Sequence, residues 1–407
     1  MSSAPLEIPQ QPQDLSADWL TRVLRDGGVL DRARVAEVRP ESCGEGQGLA
    51  SRVLRLHLRY EPPEPGAPRS LIVKLPSDVA TNRATAEMVG AYEREIRFYR
   101  ELAPEVEVGT PRHYYSSMDP NPREQVADRV ERLLERTPTA LLAFLPGVFR
   151  WVARRSKRRY LLLLEDLAPA RVGDQVAGCT TDEAALALRA LAATHARFWE
   201  SPRLQDLPWL ATSSATPRFR QAVFRRKRRR FGELYAEFEG DLGALPEPML
   251  AAAEWLDENG IAVLERLASP PLTLLHGDYR LDNLFFAASG DEPRVAAVDW
   301  AMVHRGRAAV DVGFFLGCSI QGEVARESER VLLEGYHAAL VAGGVKDYDL
   351  EECRRDCELS KLVLLQSIVL SAGQLEVSDE QASALARSFI PRLVALLPEG
   401  NLDRLLA

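Results

Sequence analysis

The chain has 407 residues, 46% apolar and 27% charged, with 51 Lys and Arg set against 59 Asp and Glu. That length exceeds one small core and predicts two lobes, while the near-average composition excludes disorder, collagen and coiled coil. A net charge of −8 argues against bulk nucleic-acid binding. Five cysteines without a CxxC pair and six histidines without an HExxH provide neither a disulfide framework nor a zinc motif, so a reducing, cytoplasmic setting is expected. No apolar run approaches the ~20 residues of a spanning helix, and the Pro-rich start does not read as a leader.

Residues 1–15 read as a flexible tail. Ser16 can cap an amphipathic helix with the apolar stripe Trp19, Leu20, Val23 and Leu24, and Gly27 ends it. The period then changes to two: Arg34–Arg39 and Arg52–Tyr60 alternate as half-buried strands do. The Pro-rich Glu61–Pro68 is a hairpin loop, Leu71–Leu75 a third strand, and a helix is predicted from about Ala84 to Leu102. Residues 120–159 form an insertion, with a charged helical pattern over Arg123–Glu135. Tyr160–Glu165 is a short buried strand. Helices follow over Thr181–Glu200, Thr216–Gly240, Met249–Leu267 and from Glu327 onward, interrupted by strand-like segments at Leu272–Phe286 and Val295–Trp300. Strands early and helices late predict an α+β chain of two lobes, 16–166 and 167–407, joined near Glu165–Leu167.

The strongest local signal is His276-Gly277-Asp278, followed five residues after the Asp by Asn283, with apolar runs on both sides. Asp299 ends the next strand-like run. Asp, Asn and His also build ordinary turns and caps, but phosphoryl transfer needs this equipment. One carboxylate accepts the proton of the attacking hydroxyl, and an Asn oxygen and a second carboxylate hold Mg²⁺ on the phosphates; a cation neutralises the transferring group. Asp278 is the candidate base, Asn283 and Asp299 the metal ligands, and Arg280 the cation. Gly44, Gly46 and Gly48 alternate between the first two strands, where they allow close approach to phosphates or simply make a hairpin turn. Lys74 sits inside an apolar strand and needs an anionic partner. Glu95 falls among Tyr92, Ile96 and Tyr99, so it either faces inward and supplies that partner or is a surface residue.

On these residues the sequence resembles the aminoglycoside phosphotransferase and choline kinase superfamily of the protein-kinase-like fold, above all its ecdysteroid-kinase-like branch. His276–Asn283 is similar to that superfamily's HGDxxxxN loop, and Asp299-Trp300 to its metal-binding acidic motif. Tyr92xxGlu95xxPhe98-Tyr99 and Leu162–Leu167 are similar to the branch's helix and hinge patterns, and Asp311 to a later Asp that supports the catalytic loop. The resemblance spans about residues 16–340. It implies a small N-terminal lobe with an antiparallel sheet and a larger, mainly helical catalytic and substrate lobe. It implies transfer of the γ-phosphate of ATP, with Mg²⁺, to a hydroxyl of a small-molecule alcohol. Adenine would lie against the backbone of Glu165, Asp166 and Leu167, and Lys74 would hold the α- and β-phosphates. The acceptor would lie between Asp278 and the helices after residue 320, where Trp300, Phe314, Phe315 and Tyr336 either line a pocket or pack the core. The other reading is a catalytically weak kinase-like protein that binds a nucleotide or metabolite and regulates a partner; the complete set of catalytic residues opposes it.

Four features stand apart. Residues 139–159 join a nearly all-apolar stretch to a basic edge, as an anchor at a membrane surface requires, but Pro146-Gly147 break the helix and an intramolecular role is expected first. Arg225–Arg230 is expected as a solvated helix face. Cys353 and Cys357, and likewise His195 and Trp199, are expected as packing residues.

Overall fold

A computed structural model describes the chain apart from residues 1–5, 44–50, 122–126, 143–144, 157, 213–215, 237–245, 290–291, 321–324 and 372–378. Gly44, Gly46 and Gly48 therefore lie outside the described residues.

Alternation in the early strands resolves into a five-stranded antiparallel sheet of β1 (Arg34–Ser42), β2 (Ser51–Glu61), β3 (Ser70–Pro76), β4 (His113–Met118) and β5 (Tyr160–Glu165), in the order β1-β2-β3-β5-β4. One face buries Leu54, Leu56, Leu71, Val73, Leu75, Leu161 and Leu163 against helix α1 (Ala17–Asp26). Ser16 caps that helix, its side chain accepting from the Trp19 amide at 3.2 Å. The intervening positions Tyr160, Leu162 and Leu164 join the core on the other face. Because side chains alternate along a strand, Lys74 between Val73 and Leu75 must point to that second face. β4 escapes the sequence reading because His113-Tyr-Tyr-Ser-Ser-Met118 has no apolar alternation and lies half-buried at the sheet edge.

The helix expected over Ala84–Leu102 is two helices, α2 (Ala80–Met88) and α3 (Ala91–Glu101). Gly90 breaks them with φ at +68°, a left-handed conformation that a Cβ disfavours. Residues 6–15 are not a free tail either. Ile8 and Leu15 are buried in the α1 side of the sheet core, and the Trp19 indole donates to the Glu7 carbonyl at 3.1 Å.

The insertion forms α4 (Ala127–Arg136), α5 (Thr139–Leu142) and α6 (Leu145–Ala153). Leu134, Leu142, Leu145 and Phe149 pack on Phe219 and Ala222 of the later helix Pro217–Ala236, with the Phe149 and Phe219 rings edge-to-face at 5.9 Å. Its basic edge pairs within the fold: Arg158 reaches Glu93 at 3.0 Å, and Arg159 reaches Asp119 at 3.0 Å.

The second lobe is mainly helical, with α7 (Thr181–Arg197), α8 (Pro202–Gln205), α9 (Pro217–Ala236), α10 (Glu247–Leu267), α11 (Ala309–Ser319), α12 (Ala325–Ala342), α13 (Leu350–Ser371) and α14 (Asp379–Leu396). Two small sheets carry the functional loops: β6 (Arg171–Val172) with β8 (Leu284–Ser289) and β9 (Glu292–Ala297), and β7 (Thr273–Leu275) with β10 (His304–Gly306). Arg225 and Arg228 lie on Asp257, and Lys227 donates to the Leu370 carbonyl at 2.5 Å, so part of the basic run is packed rather than solvated. Cys353 and Cys357 are core residues. Among the described residues, no helix is long and apolar enough to cross a membrane.

Gly90→Ala forces a side chain into the left-handed region, at a cost of about 1–2 kcal/mol. Urea denaturation is expected to show that loss; an unchanged midpoint would mean that the chain does not turn at Gly90 as described.

Candidate active site

β7 delivers its chain into the core, and the loop after it is pinned from below. Asp311, 1% exposed in the first turn of α11, accepts from the amides of His276 at 2.6 Å and Gly277 at 2.9 Å. Gly277 has φ at +81°, and a Cβ there would collide with the Met302 carbonyl and the His304 ring. Only glycine fits. His276 is buried, with Nε2 3.0 Å from the Val298 carbonyl and Nδ1 accepting from the Asp278 amide at 3.2 Å. A neutral ring protonated at Nε2 satisfies both bonds, and burial holds its pKa below the ordinary histidine value, against the pull of Asp311. His195 supports Asp311 from behind, its Nε2 3.5 Å from the carboxylate and its Nδ1 2.7 Å from the Tyr336 hydroxyl.

Asp278 follows. Asn283, in the 3-10 turn Leu281–Asn283, donates Nδ2 to both the Asp278 carbonyl and its Oδ2, each at 2.9 Å. The Arg280 Nε is 3.3 Å from Asp278 Oδ1, and its Nη1 is 2.5 Å from Asp282. Burial lifts the Asp278 carboxyl above its usual range, with Arg280 the main opposing charge. Because its amide nitrogen is committed to Asp278, Asn283 keeps its Oδ1 for other use.

The third part comes from β3 and α3. The Lys74 ammonium lies 2.6 Å from Glu95 and 3.2 Å from Asp299. Burial would discharge Lys74, but Asp299 and Glu95 together outweigh it and hold it charged above the ordinary lysine range. Burial likewise raises Glu95, opposed by Lys74. In Asp299, whose side chain is 41% exposed, Lys74 overcomes the burial effect and holds the carboxyl below its usual range. Asp299 itself has φ at +62°, which turns the chain from β9 into the short turn Trp300–Met302. One turn beyond Glu95, Phe98 stacks on Trp300 with centroids 4.0 Å apart and planes at 8°, and Trp300 packs on His276 at 4.5 Å. α3 thus grips both Lys74 and the His276–Asn283 loop.

The structure joins Lys74, Glu95 and Asp299 in one ion-pair cluster and Asp278, Arg280 and Asn283 in another, and His276, bonded to the Val298 carbonyl and packed on Trp300, links the two. The linker residues play a second part. Asp166 takes Arg55 and Ser70 at 2.7 Å each, and Glu165 accepts from the Arg112 amide at 2.9 Å. These side chains hold the linker to the sheet. Trp300, Phe315 and Tyr336 are at most 1% exposed and belong to the core rather than to a pocket wall. Phe314 packs against the core of the α10, α11 and α13 helices. His304 was missed by sequence reading, since only the fold lays it on Gly277; the His195–Asp311 relay was visible only as two separate packing and support residues.

The model of the ecdysteroid kinase-like family matches residues 45–347, about three quarters of the chain. The chain belongs to that family. The two lobes, and the Lys–Glu pair between sheet and helix, are those of a kinase-like fold. Among solved structures, a candidate aminoglycoside phosphotransferase from Ralstonia eutropha is similar at 18% identity, covering 92% of this chain and 95% of that one with a TM-score of 0.47. An ethanolamine kinase of Plasmodium vivax is similar at 10% identity over 94% and 87%, with a TM-score of 0.46. A microcompartment-associated aminopropanol kinase is similar at 13% identity over 92% and 94%, with a TM-score of 0.41. No curated protein matches the sequence.

Asp311→Ala leaves two buried amides without an acceptor, at about 1–3 kcal/mol each. Calorimetric unfolding is expected to register a loss of that order. If Asp311→Ala melted like the native protein, the loop would be held by something else.

Proposed function

We propose that the protein transfers the γ-phosphoryl group of ATP to a hydroxyl of a small molecule. The observation that carries this reading is the bridging of Lys74 by Glu95 and Asp299, set across the cleft from an Asp278 whose carboxylate is oriented by Asn283. Asn283 Oδ1 and the half-exposed Asp299 carboxylate form a hard oxygen donor set that suits Mg²⁺. Among the described residues, no three His, Cys, Asp or Glu side chains converge to hold a metal. The donor set therefore fits a cation that takes its remaining ligands from phosphate and water. When bound there, Mg²⁺ supplies charge neutralisation on the β- and γ-phosphates.

The chain's own groups do the rest. Lys74, kept cationic by two carboxylates, would hold the α- and β-phosphates. Asp278 would accept the hydroxyl proton; its raised pKa makes it a better base than an exposed carboxylate. Arg280 would offset charge developing beside Asp278. The linker backbone at Glu165–Leu167 supports adenine, and the glycines 44, 46 and 48 would cover the phosphates.

A coupled ADP-release assay over a panel of alcohols tests this. Asp278→Asn is expected to keep its ATP affinity and lose about 10²–10⁴ in turnover. Asp299→Ala should abolish Mg²⁺-dependent nucleotide binding, and Lys74→Ala should raise the KM for ATP and lower kcat together. An Asp278→Asn enzyme working at the native rate would remove Asp278 as the base; ATP left unconsumed by every alcohol would favour a regulatory role instead.

The pH profile adds a separate check. A carboxyl raised by burial takes its proton at higher pH than an exposed one, so Glu95 is neutralised early as pH falls and Lys74 loses a partner. The KM for ATP is expected to rise on the acid side at a pH above the ordinary glutamate pKa, and Glu95→Gln should lack this limb. An identical acid limb in Glu95→Gln would assign it to another group.

A further inference from the structure

The turn that carries Asn283 is held by a residue more than a hundred positions earlier in the chain. Gln175, 2% exposed, lies in the loop between β6 and α7. Its Oε1 accepts from the Leu281 amide at 3.0 Å, and its own amide donates to Asp282 Oδ1 at 3.3 Å. Leu281 opens the 3-10 turn Leu281–Asn283, and the residue before it, Arg280, offers that turn no side-chain cap. Gln175 therefore supplies the acceptor that the start of the turn lacks. Asp282 passes the constraint on. Its other oxygen takes Arg280 Nη1 at 2.5 Å, and Arg280 Nε is 3.3 Å from Asp278 Oδ1. The two loops come this close because residue 173 is glycine; a Cβ there would meet the Leu281 carbonyl at 2.6 Å.

Gln175 is fixed in turn from the far end of the chain. Its Nε2 donates to the Cys318 carbonyl at 2.5 Å, in the last turn of α11, the helix whose first turn holds Asp311. Arg392 of α14, 7% exposed, donates Nη1 to that same carbonyl at 2.9 Å and to the Gln175 carbonyl at 2.6 Å. Its Nη2 donates to the Val176 carbonyl at 2.7 Å. Three carbonyls from two segments are gathered on one rigid fork of donors, a task for which a guanidinium is suited. A cation at the end of α11 also meets the negative end of that helix dipole. Opposite ends of α11 thus hold the two halves of the His276–Asn283 loop, Asp311 directly and Cys318 through Gln175. Arg392 lies beyond residue 347, where the match to the family model ends.

We propose that Gln175, clamped by Arg392, is a positioning residue for phosphoryl transfer. It sets the turn of Asn283 and the Asp282 carboxylate, and through that carboxylate it sets Arg280 against Asp278. This rests on the phosphotransfer reading of the loop and deepens it. The groups assigned to the nucleotide are held by other residues: Lys74 by Glu95 and Asp299, and the linker by Arg55, Ser70 and Arg112. Loss of Gln175 therefore acts on the transfer step rather than on nucleotide affinity, and a displacement of about 1 Å at reacting groups costs about 10²-fold in rate.

The test uses the full-length protein and two readouts. The first is ATP turnover over the alcohol panel at saturating Mg²⁺ for the native chain, Gln175→Leu, Arg392→Gln, Asp282→Asn and the Gln175→Leu/Asp282→Asn double variant. The second needs no turnover: the arginine Nε–H resonance of Arg280, identified by its loss in Arg280→Lys. Gln175→Leu is expected to lose about 10–10²-fold in kcat while the KM for ATP stays within about twofold, and to shift the Arg280 resonance. Arg392→Gln should give a milder form of the same split. Because Gln175 acts through Asp282, the double variant should lose little more than the worse single one. Native kinetics in Gln175→Leu or Arg392→Gln, a KM for ATP that rises in step with the fall in kcat, or losses that multiply in the double variant would overturn the inference. If Gln175→Leu does not fold, Gln175→Glu, which keeps the acceptor for Leu281 and removes the donor to Cys318, takes its place under the same criteria. A native protein that phosphorylates no alcohol, with a shifted Arg280 resonance in the variant, would sink the phosphotransfer reading and leave the hold on Arg280 standing. Native turnover with an unmoved resonance would do the reverse.

Discussion

The ammonium of Lys74 lies under the sheet with Glu95 at 2.6 Å and Asp299 at 3.2 Å, and much of the architecture follows from keeping it there. A buried cation is tolerated only when its counter-charges are close, and losing one partner leaves an uncompensated charge at a cost of about 3–5 kcal/mol. Three elements far apart in sequence must therefore meet: strand β3, helix α3 and the turn after β9. Alternation in β3 aims Lys74 away from α1, the break at Gly90 starts α3 afresh, and the left-handed Asp299 turns its carboxylate back toward the sheet.

A second constraint holds the His276–Asn283 loop itself. Asp311 accepts from the His276 and Gly277 amides, and the His276 ring transmits position to Asp278 through its backbone amide. The Phe98–Trp300–His276 stack links this arrangement to α3. Motion of α3 relative to the second lobe would disturb Lys74 and the loop together, so the two halves of the site are coupled by packing as well as by charge.

Within that frame the two aspartates are pushed in opposite directions. Burial raises Asp278, while Lys74 overcomes burial and lowers Asp299. One carboxylate suited to taking a proton and one kept ionised is the separation that acid–base and metal-binding roles demand of a pair of like residues. The environment makes the distinction, since both are the same residue type on exposed-looking loops.

Much of this was legible in the sequence because its causes are local. Period-two alternation over residues 52–60 and 71–75, the Ser16 cap and the His276–Asn283 spacing each depend on residues within a few positions of one another. So did the inward face of Glu95, set by its neighbours on one helix. What depends on long-range contacts was not legible. β4 has no pattern of its own and is a strand because β5 offers it an edge. Ile8 and Leu15 are held by a sheet face that the linear sequence does not display. The aromatic residues Trp300, Phe315 and Tyr336 read equally as pocket or core, and only packing against α3, α7 and the His276–Asn283 loop assigned them to the core. The sequence by itself determined most of the elements and the candidate site residues, because propensity, period and motif spacing act over short range. Tertiary structure alone decided which charges are paired, Lys74 with Asp299 above all, because charge balance depends on distances between segments that the sequence holds more than two hundred residues apart.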